Sequence, residues 1–149
     1  MTRLSDVRLF PAPAKSIWPA LAVNFVWINL SEVFRYFIFV MPMMREALPG
    51  VPGVAPMNLG VFMIWGVWDT ILVFCVTLLS WLFLERFGNS VRVAVAAGTF
   101  CWLAIFVILW LGLYNMNLTT AKIAATALPL AWLEMVIAAM VVRWRMLRS

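Results

Sequence analysis

Residues 59–84 of this 149-residue chain read LGVFMIWGVWDTILVFCVTLLSWLFL. The run contains one charged side chain, Asp69, and no regular alternation of polar and apolar residues. A helix needs roughly 20 apolar residues to cross the hydrocarbon core of a bilayer. A strand of a membrane β-barrel would instead alternate with a period of two. The run therefore predicts a transmembrane helix.

Three further apolar runs have the same character, at residues 17–40, 91–113 and 119–142. Pro42 marks the end of the first run, and a short polar turn at 114–117 separates the last two. We expect an all-α integral membrane protein whose single domain, residues 1–149, is one bundle of four transmembrane helices. The Pro/Gly-rich loop 41–58 is apolar, and we interpret it as an interfacial hairpin rather than a lid over a site.

The composition excludes several classes of protein. The chain is 66% hydrophobic and 11% charged, whereas soluble domains are about half apolar and about a quarter charged. A water-soluble enzyme and a disordered protein are excluded on this ground. The net charge of +5 is spread among apolar runs and forms no basic stripe. We therefore expect the lipid bilayer as a partner and no nucleic acid.

Few residues in this chain could hold a cofactor or a metal. Histidine is absent, which removes His-ligated haem, His-based metal sites and His acid–base catalysis. Cys75 and Cys101 lie inside apolar runs, where we expect small packing residues. Thioethers bind Cu(I), but methionine is also a common apolar filler, which is how we interpret the six methionines expected near the outer face. We expect no cofactor and no metal; these methionines are Met41, Met43, Met44, Met57, Met63 and Met116.

Basic residues predict the orientation, because cytoplasmic loops of membrane proteins carry an excess of Lys and Arg. The outer side would carry only Arg45 and Lys122. Both termini are therefore expected in the cytoplasm, with loop 41–58 outside, and the first run is a retained anchor rather than a cleaved signal peptide. The small, loop-poor chain suggests a bacterial inner (plasma) membrane. The residues assigned to the inner side are Arg3, Arg8, Lys15, Arg86, Arg92, Arg143, Arg145 and Arg148.

The first run has one polar face. At about 100° per residue its polar side chains occupy an arc of roughly 160°. The opposite face, which includes Val26, Trp27, Leu30 and Phe34, is expected to meet lipid. The polar side chains are Asn24, Asn29, Ser31, Glu32, Arg35 and Tyr36.

Ionisable residues within a membrane span are costly and by default suggest a functional site. A rise of about 1.5 Å per residue places most of them in the outer half of the bilayer. Glu134 falls in the inner half, beside the small residues Ala127, Ala131 and Ala138, and is expected to form a separate second site. The ligand-binding cluster predicted for the outer half is Asn29, Glu32, Arg35, Tyr36, Asp69 and Lys122.

The cluster has a structural and a functional interpretation. Glu32 and Arg35 are three residues apart and can pair within one helix, with Asp69 completing a buried network that fixes helix register. Alternatively, the cluster serves a ligand, an ion or a partner. Three acids against one arginine would leave an acid uncompensated, which favours the functional interpretation.

The function favoured by this pattern is the binding or transport of a small polar or cationic solute, or of a proton. A carboxylate in a low-dielectric environment can exchange a proton for a cation. The segment Asn-Leu-Ser-Glu-Val around Glu32, with the number of spans and the chain size, resembles the small multidrug resistance exporters. The resemblance covers residues 29–33 and implies an essential role for Glu32 in transport. Arg35, the Pro/Gly loop and the additional acids depart from that family's pattern.

Two other functions remain open. The chain could be a non-catalytic subunit or assembly factor that docks partner membrane subunits, or copies of itself, through its polar faces. It could also be an enzyme acting on a lipid-borne substrate, although no nucleophile motif is present and no catalytic residue is assigned. The direction of the polar faces distinguishes an internal site from docking: inward faces indicate a site within the bundle, and outward faces indicate a partner.

Overall fold

The computed structural model describes residues 17–148, and in this range it is a bundle of four helices without strands. The helices are α1 (Trp18–Ala47), α2 (Leu59–Phe87), α3 (Val91–Asn115) and α4 (Ala121–Leu147). Each is long and apolar enough to cross a membrane, which confirms the predicted helical class. Arg3, Arg8 and Lys15, which entered the orientation argument, lie outside the described residues.

Local sequence signals set the helix boundaries. The side chains of Asn58, Ser90 and Thr120 each accept a hydrogen bond from the backbone N–H three residues further on, and so cap α2, α3 and α4. Gly88 follows α2 with φ of 99°, and Asn117 forms the turn after α3 with φ of 56°. Glycine and asparagine tolerate this left-handed region better than other residues, so the two short turns form where the sequence predicts them.

Helix α1 does not end at Pro42 as the sequence suggested. Residues Tyr36–Val40 form a π-helical turn, in which the Met41 N–H bonds to the Tyr36 carbonyl, and helical backbone then continues to Ala47. Proline lacks a backbone N–H and is tolerated in the first turn of a helix, and Pro42 is the second residue of the α-helical segment Met41–Ala47 that follows the π turn. The predicted loop 41–58 is therefore helical at 41–47, and only 48–58 is irregular.

Two other helices are also irregular. Helix α3 contains a second π-helical turn at Leu103–Val107, and α4 contains Pro129 in its interior. Such turns occur frequently at functional sites. Phe106 lies in the second π-helical turn and contacts the Arg35 side chain at the end of the first α-helical segment of α1. The irregular segments of α1 and α3 therefore meet inside the bundle.

Helix α4 packs against each of the other three helices. The stripe of Ala127, Ala131 and Ala138 predicted from the sequence is buried, which confirms its role in close packing. Gly98 of α3 packs closely against the backbone of α4, because a Cβ atom on Gly98 would lie 2.6 Å from the Val136 Cα. A Cβ atom on Gly112, near the end of α3, would meet no described atom of another segment within 4 Å. The close packing therefore does not extend to the end of α3.

Candidate functional site

A buried ion-pair network lies near the middle of the bundle. Arg35 is buried on α1, and its Nη1 donates to Glu134 Oε2 at 3.0 Å. Its Nη2 donates to Glu32 Oε1. The guanidinium also lies 4.9 Å from the centre of the Phe106 ring, a cation–π contact. Arg35 thus contacts carboxylates from α1 and α4 and an aromatic ring from α3.

Glu134 is fully buried. Besides Arg35, its Oε2 accepts a hydrogen bond from Ser31 Oγ at 2.7 Å. The Trp27 indole N–H donates to the Glu134 backbone carbonyl at 3.1 Å. The other carboxylate oxygen, Oε1, is buried and has no hydrogen-bond partner within residues 17–148. One oxygen of this carboxylate is therefore left without a partner among the residues that the structure describes.

The prediction that Glu134 forms a separate site was wrong in its geometry. From the sequence, the first helix was expected to end at Pro42, so that Glu32 and Arg35 would lie close to its outer end. Because α1 continues to Ala47, Glu32 is residue 15 of its 30, and Glu134 is residue 14 of the 27 in α4. Both carboxylates therefore lie near the middle of their helices, at the same level in the bundle.

Asp69 of α2 is the third acid of the network. It is buried and lies close enough to Glu32 and Arg35 to interact with them electrostatically. Its Oδ1 has no hydrogen-bond partner in the part of the chain that the structure describes. The structure thus brings Asp69 close to Glu32 and Arg35, as the sequence indicated, and adds Glu134 to them.

Of the other predicted site residues, one lies beside the ion-pair network and two lie outside it. Tyr36 lies beside the network, with its ring centre 4.9 Å from that of Trp65. Asn29 is not part of it, because its amide donates to the Phe25 carbonyl of its own helix at 2.8 Å. Lys122 is exposed in the first turn of α4, where it lies beside Glu46. Asn29 and Lys122 are therefore removed from the cluster.

A cavity of about 320 Å³ adjoins the network. It lies between α1, the first half of α2 and the second half of α3. Glu32, Arg35 and Tyr36 supply its polar surface. Its apolar walls comprise Val40, Met44, Met57, Val61, Ile64, Trp65, Trp68, Phe106, Leu109, Trp110 and Leu113.

Met57 brings loop 48–58 to the cavity, and this loop is held against α1 by a hydrogen bond from Arg45 Nη2 to the Ala55 carbonyl at 3.1 Å. Met57 therefore places the end of this loop at the cavity, and the interfacial position of the hairpin stays a prediction. The helix ends at this side of the bundle, together with loop 48–58 and residues 116–120, are called the loop end below. The opposite side, where α1 begins and α4 ends, is called the termini end.

A second polar layer lies between the network and the termini end. The Asn24 amide donates to Thr77 Oγ1 at 3.0 Å and to the Ala138 carbonyl at 3.2 Å, and so joins α1, α2 and α4. Asn24, Arg35, Asp69 and Thr77 are all buried inside the bundle. The polar faces of α1 and α2 therefore point inward, which was the criterion for an internal site.

Sequence reasoning missed the aromatic part of the site. Trp27 was assigned to the lipid-facing surface, but its indole reaches the Glu134 carbonyl. Trp65, Trp68, Phe106 and Trp110 stand in apolar runs and gave no signal that they line a cavity. A large aromatic side chain in a membrane span can face either lipid or the interior of the protein. The residue type alone therefore does not show which of the two it faces.

The charges of the site do not balance. Glu32, Asp69 and Glu134 face one guanidinium, and Glu134 Oε1 and Asp69 Oδ1 are buried without a partner among the described residues. Burying an unpaired charge is strongly unfavourable. Within residues 17–148 no group of three or more His, Cys, Asp or Glu side chains is placed to hold a metal ion. The two unpartnered carboxylate oxygens therefore have capacity for a further hydrogen-bond donor.

Comparison with protein-family models, with curated proteins and with solved structures gives no match for this chain. The geometry of the site itself therefore carries the functional interpretation.

Proposed function

We propose that this chain is an integral membrane protein that binds a small cationic solute, or a proton, in the cavity beside Glu32 and Arg35 and moves it across the membrane. The observation that carries this proposal is a cluster of three carboxylates around one guanidinium, next to a cavity; Asp69 and Glu134 are buried and Glu32 is partly buried. The positive charge that residues 17–148 do not supply at this site would come from the ligand.

Glu32 is the acid that connects the cavity to the network. It lines the cavity and is bonded to Arg35, which in turn is bonded to Glu134. A cation that approaches Glu32 competes with Arg35 for the same carboxylate. Its arrival would therefore shift the guanidinium towards Glu134, and its departure would restore the original pairing. Such competition links ligand binding to the contact between α1 and α4.

Movement of the helices is favoured by their irregular segments. The π-helical turn of α1 directly follows Arg35, and that of α3 contains Phe106, over which Arg35 lies. These turns interrupt the regular hydrogen bonding of both helices beside the ligand cavity. A change in the pairing of Arg35 would act on α1 and α3 where they bend most readily.

Glu32→Gln and Asp69→Asn are each expected to reduce transport at least tenfold. Both substitutions remove a negative charge and keep the side-chain size, so the chain should still insert in the membrane. The measurement is uptake of radiolabelled tetramethylammonium into proteoliposomes, together with an internal pH-sensitive dye that reports proton flux. Glu46→Gln is the matched control, because Glu46 is an exposed acid at the loop end outside the cavity. Full uptake and proton flux in both site variants would rule out this assignment.

We also propose that both termini lie in the cytoplasm, in a bacterial inner membrane. Arg86, Arg92 and Arg143 lie at the termini end of the bundle, whereas Arg45 and Lys122 lie at the loop end. This asymmetry supports the orientation through the excess of basic residues on the cytoplasmic side. The short connections between helices support the assignment to a small inner-membrane protein.

The orientation predicts opposite labelling of two engineered cysteines. A membrane-impermeant maleimide should label Gly50→Cys in intact cells and Glu85→Cys only after lysis, because Gly50 lies in loop 48–58 and Glu85 near the other end of α2. The unaltered chain, with its free Cys75 and Cys101, is the control for background labelling. Labelling of Glu85→Cys alone in intact cells would reverse the proposed orientation.

A further inference from the structure

We infer that the termini end of the bundle binds the phosphate headgroup of an anionic phospholipid, through guanidinium groups that lie on exposed aromatic rings. This inference rests on one part of the proposed function, the insertion of the chain in a membrane. It is independent of what the cavity binds.

The termini end carries an excess of positive charge. Glu85 is the one acidic side chain at this end within residues 17–148. At the loop end, the two basic side chains Arg45 and Lys122 stand against Glu46. Basic residues near a membrane surface attract the headgroups of anionic lipids. The arginines at the termini end include Arg86, Arg92, Arg143 and Arg148.

Two of these guanidiniums lie on aromatic rings. The Arg148 Cζ is 4.5 Å from the centre of the Trp144 ring, and the Arg86 Cζ is 5.8 Å from the centre of the Phe87 ring. Neither guanidinium forms an ion pair within residues 17–148. A ring attracts a guanidinium through its face, whereas the N–H groups point outward in the guanidinium plane. The contact with the ring therefore leaves these groups able to donate in pairs to phosphate oxygens.

An apolar cluster fixes the arginines of different helices relative to one another. Arg86 lies two residues after one of its members, Leu84, and Arg143 directly follows another, Val142. Arginines that are already held side by side lose less conformational freedom when they bind one headgroup. The buried members of the cluster come from all four helices: Ala20, Trp81, Leu84, Ala94 and Val142.

Exposed apolar side chains lie at the same end as the arginines. Trp18, Phe87 and Leu147 are 67%, 62% and 59% exposed. In a membrane such aromatic side chains lie where headgroups meet hydrocarbon. A phospholipid presents both a phosphate and acyl chains to this surface, whereas a nucleic acid offers no hydrocarbon. The excess of positive charge favours a phospholipid without an ammonium group of its own.

The test is native mass spectrometry of the purified full chain with two phospholipids that have the same acyl chains. Dioleoylphosphatidylglycerol has a net negative charge, whereas the ammonium group of dioleoylphosphatidylcholine compensates its phosphate. We expect the apparent affinity for dioleoylphosphatidylglycerol to be higher by roughly fivefold or more. Equal affinities for the two lipids would overturn the inference.

Paired substitutions test the location. Arg86→Gln/Arg148→Gln removes both guanidiniums and should reduce the preference to less than about twofold. Arg86→Lys/Arg148→Lys keeps the charge without the planar pair of donors, and should give an intermediate preference; it keeps the test decisive if the loss of charge impairs folding. Lys122→Gln is the matched control, because Lys122 is an exposed cation at the loop end. Full preference in either double variant, or an equal loss in Lys122→Gln, would overturn the site.

Retention of the chain in membranes washed at alkaline pH distinguishes the failure of this inference from that of the proposed function. A retained chain without preference for dioleoylphosphatidylglycerol would overturn the lipid site and leave the cation site standing. A chain released by the wash is not inserted in the membrane, which would overturn both proposals.

Discussion

Gly98→Ala is expected to lower the free energy of unfolding by about 3 kcal/mol or more, at the upper end of the usual loss from overpacking. A Cβ atom on Gly98 would lie 2.6 Å from the Val136 Cα and 2.7 Å from the Met135 carbonyl oxygen. Both atoms belong to the backbone of α4, so no side-chain rotation can relieve the clash. The two helices must separate, and α4 would then lose part of its packing against α1 and α2 as well.

Gly112→Ala is the matched control for this substitution. Gly112 lies on the same helix, but no atom comes within 4 Å of a Cβ built there. Alanine has a higher helix propensity than glycine, so this variant should be as stable as the parent chain or slightly more stable. The measurement is equilibrium unfolding in mixed micelles at increasing mole fractions of dodecyl sulfate. Equal stability of the two variants would refute the close contact between α3 and α4.

Arg35→Leu is expected to cost about 3–5 kcal/mol of stability, the usual loss when one partner of a buried ion pair is removed. Glu134 and Glu32 would lose their bonds to the guanidinium, and Glu134 would keep only Ser31 and buried surroundings. The cation–π contact with Phe106 would be lost as well. We expect low yield of the folded protein and no measurable transport.

The double variant Arg35→Leu/Glu134→Leu distinguishes an electrostatic cause from lost packing. When both partners of a buried pair become apolar, no uncompensated charge remains between them. The double variant should therefore be more stable than Arg35→Leu alone, as measured by the same unfolding assay. Losses that add independently in the double variant would show that Arg35 and Glu134 do not interact.

The sequence predicted the four helices because hydropathy is a local property. Each apolar run is long enough to span a bilayer whatever its neighbours are, and the capping residues Asn58, Ser90 and Thr120 stand immediately before three of the helices. The polar arc of the first run also predicted that Asn24 and Arg35 lie on the face that is turned away from lipid. Exposing these polar side chains to lipid would be unfavourable. Their position away from lipid therefore follows from the sequence whatever the details of helix packing are.

Which residues of different helices lie at the same level along the bundle axis could not be predicted in the same way. They depend on the π-helical turn of α1 and on the continuation of that helix past Pro42, neither of which hydropathy reveals. The pairing of Arg35 with Glu134 followed from those features and was therefore missed. Asn29 was misassigned for a different reason: its amide donates to the Phe25 carbonyl four residues earlier, which allows a polar side chain on an outer face.

The central claim is that the cavity beside Glu32 holds one organic cation per chain. It is tested most directly by native mass spectrometry of the protein released from nanodiscs in the presence of tetramethylammonium, with the unaltered chain and Glu32→Gln compared at equal concentrations. We expect one bound tetramethylammonium per unaltered chain and none per Glu32→Gln chain. The same number of bound molecules in both forms would contradict it.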